Sequence, residues 1–168
     1  MVNEAYVEYM VARKPNPLTK GLRIAVIALA VIFCAIGLVT INFYYLIPGI
    51  ALGMVAFLLI PRLDVEFEYL YLDKEITIDK IFSKQTRKRA MVIDLNKMEL
   101  MAPITSHEFD SYRSRKVTEK DFSSRNEDTK PYGIVYHDPA GDMIIIFEPN
   151  AEMLKAIKTV FPRKVLDF

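Results

Sequence analysis

The stretch IAVIALAVIFCAIGLVTINFYYLIPGIALGMVAFLLI, residues 24–60, contains no Asp, Glu, Lys or Arg. Arg23 and Arg62 bracket it. An α-helix needs about 20 apolar residues to cross the hydrocarbon core of a bilayer, so this stretch of 37 is too long for one span and suits two short ones. The sequence therefore predicts an integral membrane protein with a two-helix transmembrane hairpin.

The break between the two spans is expected at residues 42–45, where an Asn is followed by one Phe and two Tyr. Tyr favours the membrane–water interface, because its ring stays in an apolar environment while its hydroxyl stays in water. The hairpin then comprises residues 22–63, with spans at about 22–41 and 46–62. Pro48 would fall in the first turn of the second span, where its missing N–H costs little.

The basic residues that flank the spans predict an orientation. Arg13, Lys14, Lys20 and Arg23 precede the first span, Arg62 follows the second, and the connecting turn carries no charge. The positive-inside rule then places both termini in the cytoplasm, as in a multi-pass protein of the cell membrane. A cleaved signal peptide would have a shorter apolar region and small residues at its cleavage site. A re-entrant hairpin that never crosses the bilayer is an alternative that the charges leave open.

Small residues recur on both spans. Gly49 and Gly53 form a G-x-x-x-G pair, and Ala30, Cys34 and Gly37 form a stripe on the first span. Small residues let helix backbones approach closely in lipid, so we expect these five to pack the two spans together. A homodimer interface is the alternative use of the same residues. Cys34 is the only cysteine, which excludes an intramolecular disulfide.

Two further segments flank the hairpin. Residues 1–21 are expected to form a cytoplasmic N-terminal segment, either an interfacial helix ending before Pro15 or a loosely ordered tail. Residues 64–168 have the size of one cytoplasmic domain and carry 19 acidic and 17 basic side chains. This near-neutral balance argues against nucleic acid as a partner, because nucleic-acid binding normally needs a strongly basic face.

The domain is expected to be mainly β. Val65, Phe67, Tyr69 and Tyr71 alternate with other residues, which is the pattern of a half-buried strand. A short helix is expected near residues 107–113, and a C-terminal helix follows an Asn that can cap it. Seven strands are expected near residues 65–71, 76–81, 91–95, 98–102, 116–122, 132–137 and 143–147.

The segments FEYLYLDKEITIDKIF, KRAMVIDLNKMELMAP and MIIIFEPNAEMLKAIKTVFP carry a family resemblance. Their order resembles the bacterial pleckstrin-homology-like (PH-like) domain, and the whole chain resembles small membrane proteins of anaerobic Gram-positive bacteria. The resemblance implies a seven-stranded sandwich or open barrel whose end is closed by the C-terminal helix. It implies a transmembrane hairpin before the domain, and it brings no enzymatic activity with it.

Catalytic and metal-binding patterns are poorly represented. His107 and His137 are expected to face solvent, and a zinc site would need more His or Cys than the domain offers. Ser123 and Ser124 are best explained as an ordinary turn. We therefore predict no catalytic residue, no metal and no cofactor.

One basic cluster suggests a binding surface. Lys80, Lys84, Arg87, Lys88 and Arg89 surround an expected strand turn a short distance after the hairpin. Lys or Arg beside an anionic leaflet contributes about 1 kcal/mol each, so this cluster could contact lipid headgroups. The simpler alternative is a solvated turn that keeps the strands soluble.

Together these features predict a non-enzymatic membrane protein that presents a PH-like binding or scaffolding domain on the cytoplasmic face. Its expected partners are the bilayer with its anionic headgroups and another protein. The alternative is an accessory subunit of a transporter or envelope complex that interacts through its transmembrane helices.

Overall fold

The computed structural model describes residues 6–15, 17–59, 64–115, 117–139 and 141–166. The chain forms two compact units, which we call the β domain and the helical unit. The β domain consists of Met1–Arg13, Glu66–Ile81 and Arg87–Phe168, and the helical unit of Lys14–Val65 and Phe82–Thr86. The expected end of the second span at residues 60–62 lies outside the described residues.

The helical unit contains two apolar helices, α1 (Pro17–Thr40) and α2 (Phe43–Leu59). Residues 41 and 42 separate them, so Asn42 lies in the predicted break, whereas residues 43–45, expected in the turn, belong to α2. Asn42 donates its backbone N–H to Gly37 at 3.0 Å and accepts the N–H of Tyr44 on its side chain at 3.0 Å. These bonds satisfy backbone groups at the end of one helix and the start of the next.

Two findings qualify the sequence-based view of the hairpin. Pro48 lies inside α2 rather than in its first turn, because the helix already begins at Phe43. Among the described helices, α1 is long and apolar enough to cross a membrane, whereas α2 is apolar but shorter. The described structure thus supports one helix of spanning length near the N-terminus.

The β domain begins with a strand where an interfacial helix or a loose tail was expected. β1 (Val7–Ala12) pairs antiparallel with the strand that follows the hairpin, with Val7 opposite Tyr71 and Val11 opposite Phe67. Val7 and Val11 are buried. The interfacial-helix prediction is therefore wrong, because pairing with this neighbour gives the segment inter-strand hydrogen bonds while Val7 and Val11 are buried.

The first sheet of the domain has the strand order β1-β2-β3-β4 among the described residues. The strands after β1 are β2 (Val65–Leu72), β3 (Glu75–Phe82) and β4 (Thr86–Asp94). Tight turns join them: Asp73 and Lys74 both have positive φ, and so do Ser83 and Lys84. Paired positive φ values match the right-handed twist of a two-residue hairpin.

The second sheet has the strand order β5-β7-β8-β6 in the same part of the chain. Its strands are β5 (Met98–Pro103), β6 (Thr118–Asp121), β7 (Tyr132–Asp138) and β8 (Gly141–Phe147). β6 pairs with β8 in parallel, whereas the other pairs are antiparallel. A short helix, α3 (Asp110–Ser114), precedes β6, and the C-terminal helix is α4 (Ala151–Val160).

Helix α4 and the tail after it close the core. Asn150 caps α4 by accepting the N–H of Met153 at 2.8 Å, and Met153 and Ile157 are fully buried. The tail then pairs with β5, since the N–H of Met101 donates to Lys164 at 2.8 Å. The mainly-β domain and its C-terminal helix are therefore confirmed, and the described residues form eight strands in two sheets where the sequence predicts seven strands.

Candidate functional site

The turn between β3 and β4 lies at one end of the helical unit. Arg23, near the start of α1, forms an ion pair with Asp64 at 3.0 Å. The carbonyl of Asp64 accepts the N–H of Ser83 at 3.0 Å. Residues 82–86, which we call the basic turn, thus lie where α1 begins. Within this turn Lys84 is exposed.

Two of the five basic residues singled out in the sequence neutralise buried carboxylates. Arg87 forms ion pairs with Glu68 and Asp79, and Arg89 lies 3.8 Å from Asp79. Both carboxylates are buried on the first sheet. A buried carboxylate needs a cationic partner, so these arginines have a structural task inside the sheet.

The other three basic residues are placed differently. Lys80 follows Asp79 on β3 and therefore points to the opposite face of the strand. Its ammonium lies 6.0 Å from the ring centre of Phe67 and 5.6 Å from that of Phe122. Lys84 and Lys88 are exposed and form no ion pair within the described residues. The five residues thus divide into separate groups.

A cluster that the sequence does not reveal surrounds Asp121, at the end of β6. One carboxylate oxygen accepts hydrogen bonds from Arg13 at 3.2 Å and from Arg125 at 2.7 Å. The other accepts the N–H and hydroxyl of Ser123 at 2.9 and 2.6 Å. Burial acts to raise the pKa of Asp121, but the bonds from Ser123 and Arg125 outweigh it and lower that pKa. We call Arg13, Asp121, Ser123 and Arg125 the Asp121 cluster.

The same cluster affects Arg13. Burial, followed by the nearby charge of Arg125, lowers the pKa of the Arg13 guanidinium. The side chain also lies over Phe67, with 5.5 Å between the guanidinium carbon and the ring centre. Because Arg13 and Asp121 are 108 positions apart, no local spacing in the sequence could have indicated this contact.

The serine pair acts as a loop scaffold. Ser124 donates its N–H and hydroxyl to Glu148 at 2.9 and 2.8 Å, and Thr129 donates its hydroxyl to the same oxygen at 3.0 Å. Tyr69 donates its hydroxyl to the carbonyl of Phe122 at 2.6 Å. These buried bonds hold the loop after β6 and give the serines the turn role that the sequence suggests.

His137 lies between two carboxylates on the second sheet. Its ring nitrogens are 2.6 Å from Asp142 and 2.9 Å from Glu99. The hydrogen bond with Asp142 raises the pKa of His137, which favours the cation.

His107 is exposed and lies 3.2 Å from Asp110. No group of three or more His, Cys, Asp or Glu residues suited to a metal ion occurs among the described residues.

A cleft of about 600 Å³ opens at one end of the second sheet. Residues 103–108 form one wall, and residues 129–132 form the other. Pro103, Pro131 and Tyr132 supply apolar surface within these walls. Its volume is in the range of small-molecule pockets, so the domain has a concave surface of binding size.

The small residues of the helical unit contribute unequally to packing. A Cβ added at Gly37 would lie 2.7 Å from the backbone N of Leu46, and one at Gly49 would lie 2.7 Å from the Cys34 sulfur. Ala30 is buried. A Cβ at Gly53 would meet nothing within 4 Å. Gly53 instead lines a groove of about 520 Å³ along the two helices.

This difference in packing predicts that two matched glycine substitutions will lower stability by different amounts. Gly49→Ala should lower the thermal unfolding midpoint of the purified protein, because its methyl group collides with Cys34. The helices would have to separate, at a cost of about 1–3 kcal/mol. Gly53→Ala is the control and should change the midpoint little, because the site is open. Equal loss in both variants would contradict the observed helix packing.

Comparison with known proteins assigns the chain to a family. No curated protein and no solved structure matches the chain. One protein family matches residues 3–167, a range that contains both sheets and both apolar helices. The chain therefore belongs to the family described as Bacterial PH-like domain (DUF6106).

Proposed function

We propose that this protein is a non-enzymatic binding or scaffolding module, held on the cytoplasmic face of the cell membrane by a two-span hairpin. The PH-like domain would present its sheet edges and its cleft to a protein partner. The observation that supports this proposal best is the exposure of apolar side chains on α1.

Helix α1 has almost no buried surface. Its buried residues are Ala30 and Gly37, both small, whereas Val31, Leu38 and Val39 are at least 60% exposed. Soluble proteins rarely expose apolar patches of more than a few hundred Å². Lipid around the helix removes the cost of exposing apolar side chains to water. A helix of 24 residues is about 36 Å long, which exceeds the thickness of the hydrocarbon core.

The order of elements supports two crossings. β1 precedes α1 in the chain, and its partner strand β2 follows α2. Because both flanks of the apolar segment belong to one sheet, both must stay on the same side of the membrane. At 17 residues α2 is about 26 Å long, a mismatch that bilayer thinning can accommodate. The flanking basic residues then favour the cytoplasmic side.

Labelling of a single cysteine tests this topology. In a Cys34→Ala background, Tyr44→Cys places a thiol at the start of α2, beside the connecting turn, at a residue that is 87% exposed. A membrane-impermeant maleimide should label it in intact cells, because the proposed turn faces outward. Glu127→Cys, in an exposed loop of the β domain, is the matched control and should react only after permeabilisation.

Two results would contradict the proposed topology. Labelling of Glu127→Cys in intact cells would place the domain outside. A Tyr44→Cys thiol that reacts only after permeabilisation would exclude the two crossings and leave the re-entrant alternative.

We also propose that the basic turn approaches anionic headgroups. Of the five basic residues identified in the sequence, Lys84 lies in the basic turn, and it is exposed without an ion pair among the described residues. It could contribute about 1 kcal/mol near an anionic surface. Arg87 and Arg89 are already engaged by carboxylates of the sheet and should contribute less.

An environment-sensitive dye can test the position of the turn. Gln85→Cys, again with Cys34→Ala, puts the dye at an exposed turn residue without removing a lysine. Its emission should shift to the blue in nanodiscs containing phosphatidylglycerol relative to pure phosphatidylcholine. Added salt or the Lys84→Gln substitution should reverse the shift. The same emission spectrum in both lipids would contradict headgroup contact and indicate that the turn is a solvated loop.

The second candidate function is an accessory subunit that binds a membrane partner through its helices. The open groove at Gly53 favours it, because the hairpin leaves this surface unfilled. Gly53→Leu should then abolish co-purification of the partner or of a second copy from native membranes. Retention of the partner in this variant would favour binding through the PH-like domain.

A further inference from the structure

His137 contacts two carboxylates at once, one on each neighbouring strand. On β8, Asp142 lies opposite His137 in the hairpin, and its Oδ1 is 2.6 Å from the Nδ1 of the histidine. On β5, the Oε2 of Glu99 is 2.9 Å from its Nε2. Both distances are those of hydrogen bonds. Each ring nitrogen of His137 therefore faces an anionic partner.

The two contacts are compatible with each other only on a charged imidazole ring. A neutral imidazole has one N–H, and its other nitrogen carries a lone pair that accepts hydrogen bonds. An ionised carboxylate has no proton to donate, so a neutral His137 would turn this lone pair towards one of its two partners. The observed arrangement is therefore that of the imidazolium ion. In agreement, the hydrogen bond with Asp142 raises the pKa of His137.

A β-bulge explains how Glu99 reaches this position. Strict alternation along β5 would turn Glu99 and Leu100 to opposite faces of the sheet. The register of β5 with β7 shifts between Met98 and Leu100, so that Leu100 lies opposite Val135. A bulge adds one residue to a strand and changes the direction of its side chain. Glu99 can thus contact His137, which shares a face of β7 with Val135.

Helix α3 contacts the same carboxylate through Tyr112. Burial, followed by a hydrogen bond to Glu99, raises the pKa of the Tyr112 phenol, so the neutral phenol donates to Glu99. The Tyr112 ring also packs against an apolar cluster on this face of the second sheet, which consists of Ala102, Phe109, Val135 and Ile144. Glu99 therefore links β5 both to β7 and to α3.

The other charged groups near this cluster come from the end of α3 and from the turn before β5. Arg115 lies over the Tyr112 ring, with 5.9 Å between the guanidinium carbon and the ring centre. In the turn before β5, hydrogen bonds from Asn96 and the charge of Lys97 lower the pKa of Asp94. The two carboxylates and the imidazolium carry one excess negative charge, and loss of the histidine proton raises this excess to two.

We propose that His137 is a proton-dependent clamp, which holds β5, the β7–β8 hairpin and α3 together when it is charged. Loss of the proton leaves one ring nitrogen as an acceptor that faces a carboxylate. Asp142 makes the shorter contact and lies opposite His137 in the hairpin, so Glu99 is the partner that is released. A released Glu99 no longer fixes Tyr112, and α3 loses this link to the sheet.

The elements joined by this clamp bracket one wall of the cleft. Residues 104–108 of this wall lie in the chain between β5 and α3. Phe109 is fully buried and holds the end of the wall in both protonation states of His137. Opening of the clamp should therefore loosen this wall and α3 locally, without unfolding the domain. Through this effect, pH would adjust the shape of the cleft.

The pH dependence of the clamp has one direction. In the folded protein the pKa of His137 is raised from its ordinary value of 6.5. Its stabilising contribution is therefore complete below the pKa of the unfolded chain, and it is lost as pH rises through the pKa of the folded state. Lower pH favours the closed clamp, and higher pH favours the open one.

Hydrogen–deuterium exchange of the purified full chain, corrected for the pH dependence of intrinsic exchange, tests the clamp. Protection of residues 104–115 relative to β3 should fall several-fold between about pH 5.5 and about pH 8.5. His137→Arg keeps the charge and should remain protected at both pH values, whereas His137→Gln should be poorly protected at both. His107→Gln is the matched control, because His107 contacts one carboxylate, Asp110, and this variant should behave like the unmodified protein.

Three results would overturn the clamp. The first is equal protection of residues 104–115 at both pH values in the unmodified protein. The second is a pH dependence that persists unchanged in His137→Gln. The third is loss of the pH dependence in His107→Gln, which would assign the effect to the other histidine.

A histidine titration tests the link through the bulge. The chain has two histidines, so a His107→Gln background without a histidine tag lets carbon-13 NMR of the labelled imidazole report on His137 alone. Glu99→Gln should lower the pKa of His137 and abolish the pH dependence of exchange in α3. If Glu99→Gln changes neither the pKa nor the exchange, the proposed link from His137 to α3 is wrong.

Discussion

The pairing of β1 with β2 is the constraint on which the rest of this structure depends. Six residues of β1 pair with residues that follow the two apolar helices, so the chain must leave the sheet and return to it. Closing a flexible loop of this length would cost about 3.5 kcal/mol beyond a constant term. The packing of α1 against α2 reduces that cost. The Arg23–Asp64 ion pair adds to this effect, because it joins a residue of α1 to a residue that directly precedes β2.

The basic residues show how a folded sheet redistributes charges that look alike in the sequence. Arg87 and Arg89 neutralise Glu68 and Asp79, two buried carboxylates whose burial without a cationic partner would be costly. Lys80, only seven positions before Arg87, points to the other face of its strand. Strand alternation therefore separates Lys80, which lies over aromatic rings, from the arginines that neutralise buried carboxylates.

Local patterns predicted most of the β domain, and long-range pairing accounts for what they missed. The alternation at Val65–Tyr71 and the Asn150 cap are local signals, and both indicated the observed elements. The short segment of β1 is compatible with an interfacial helix until its distant partner is known. The parallel pairing of β6 with β8 is equally nonlocal. The register of the β7–β8 hairpin places His137 opposite Asp142, although the two residues look independent in the sequence.

The candidate sites show the same difference between local sequence signals and long-range contacts. The small residues of the helices could be recognised by type, but only the packing shows that Gly49 is in contact and Gly53 is open. The Asp121 cluster had no sequence signal, because Arg13 and Asp121 are 108 positions apart in the chain.

A segment inserted between two paired strands is constrained differently from a segment attached at one chain terminus. Arg13 stands four positions before α1, and β2 begins six positions after α2, so the apolar helices are connected to the sheet through both of their ends. A segment held at both ends has fewer accessible arrangements than one held by a single linker, so the pairing of β1 with β2 restricts the helices more than a terminal attachment would.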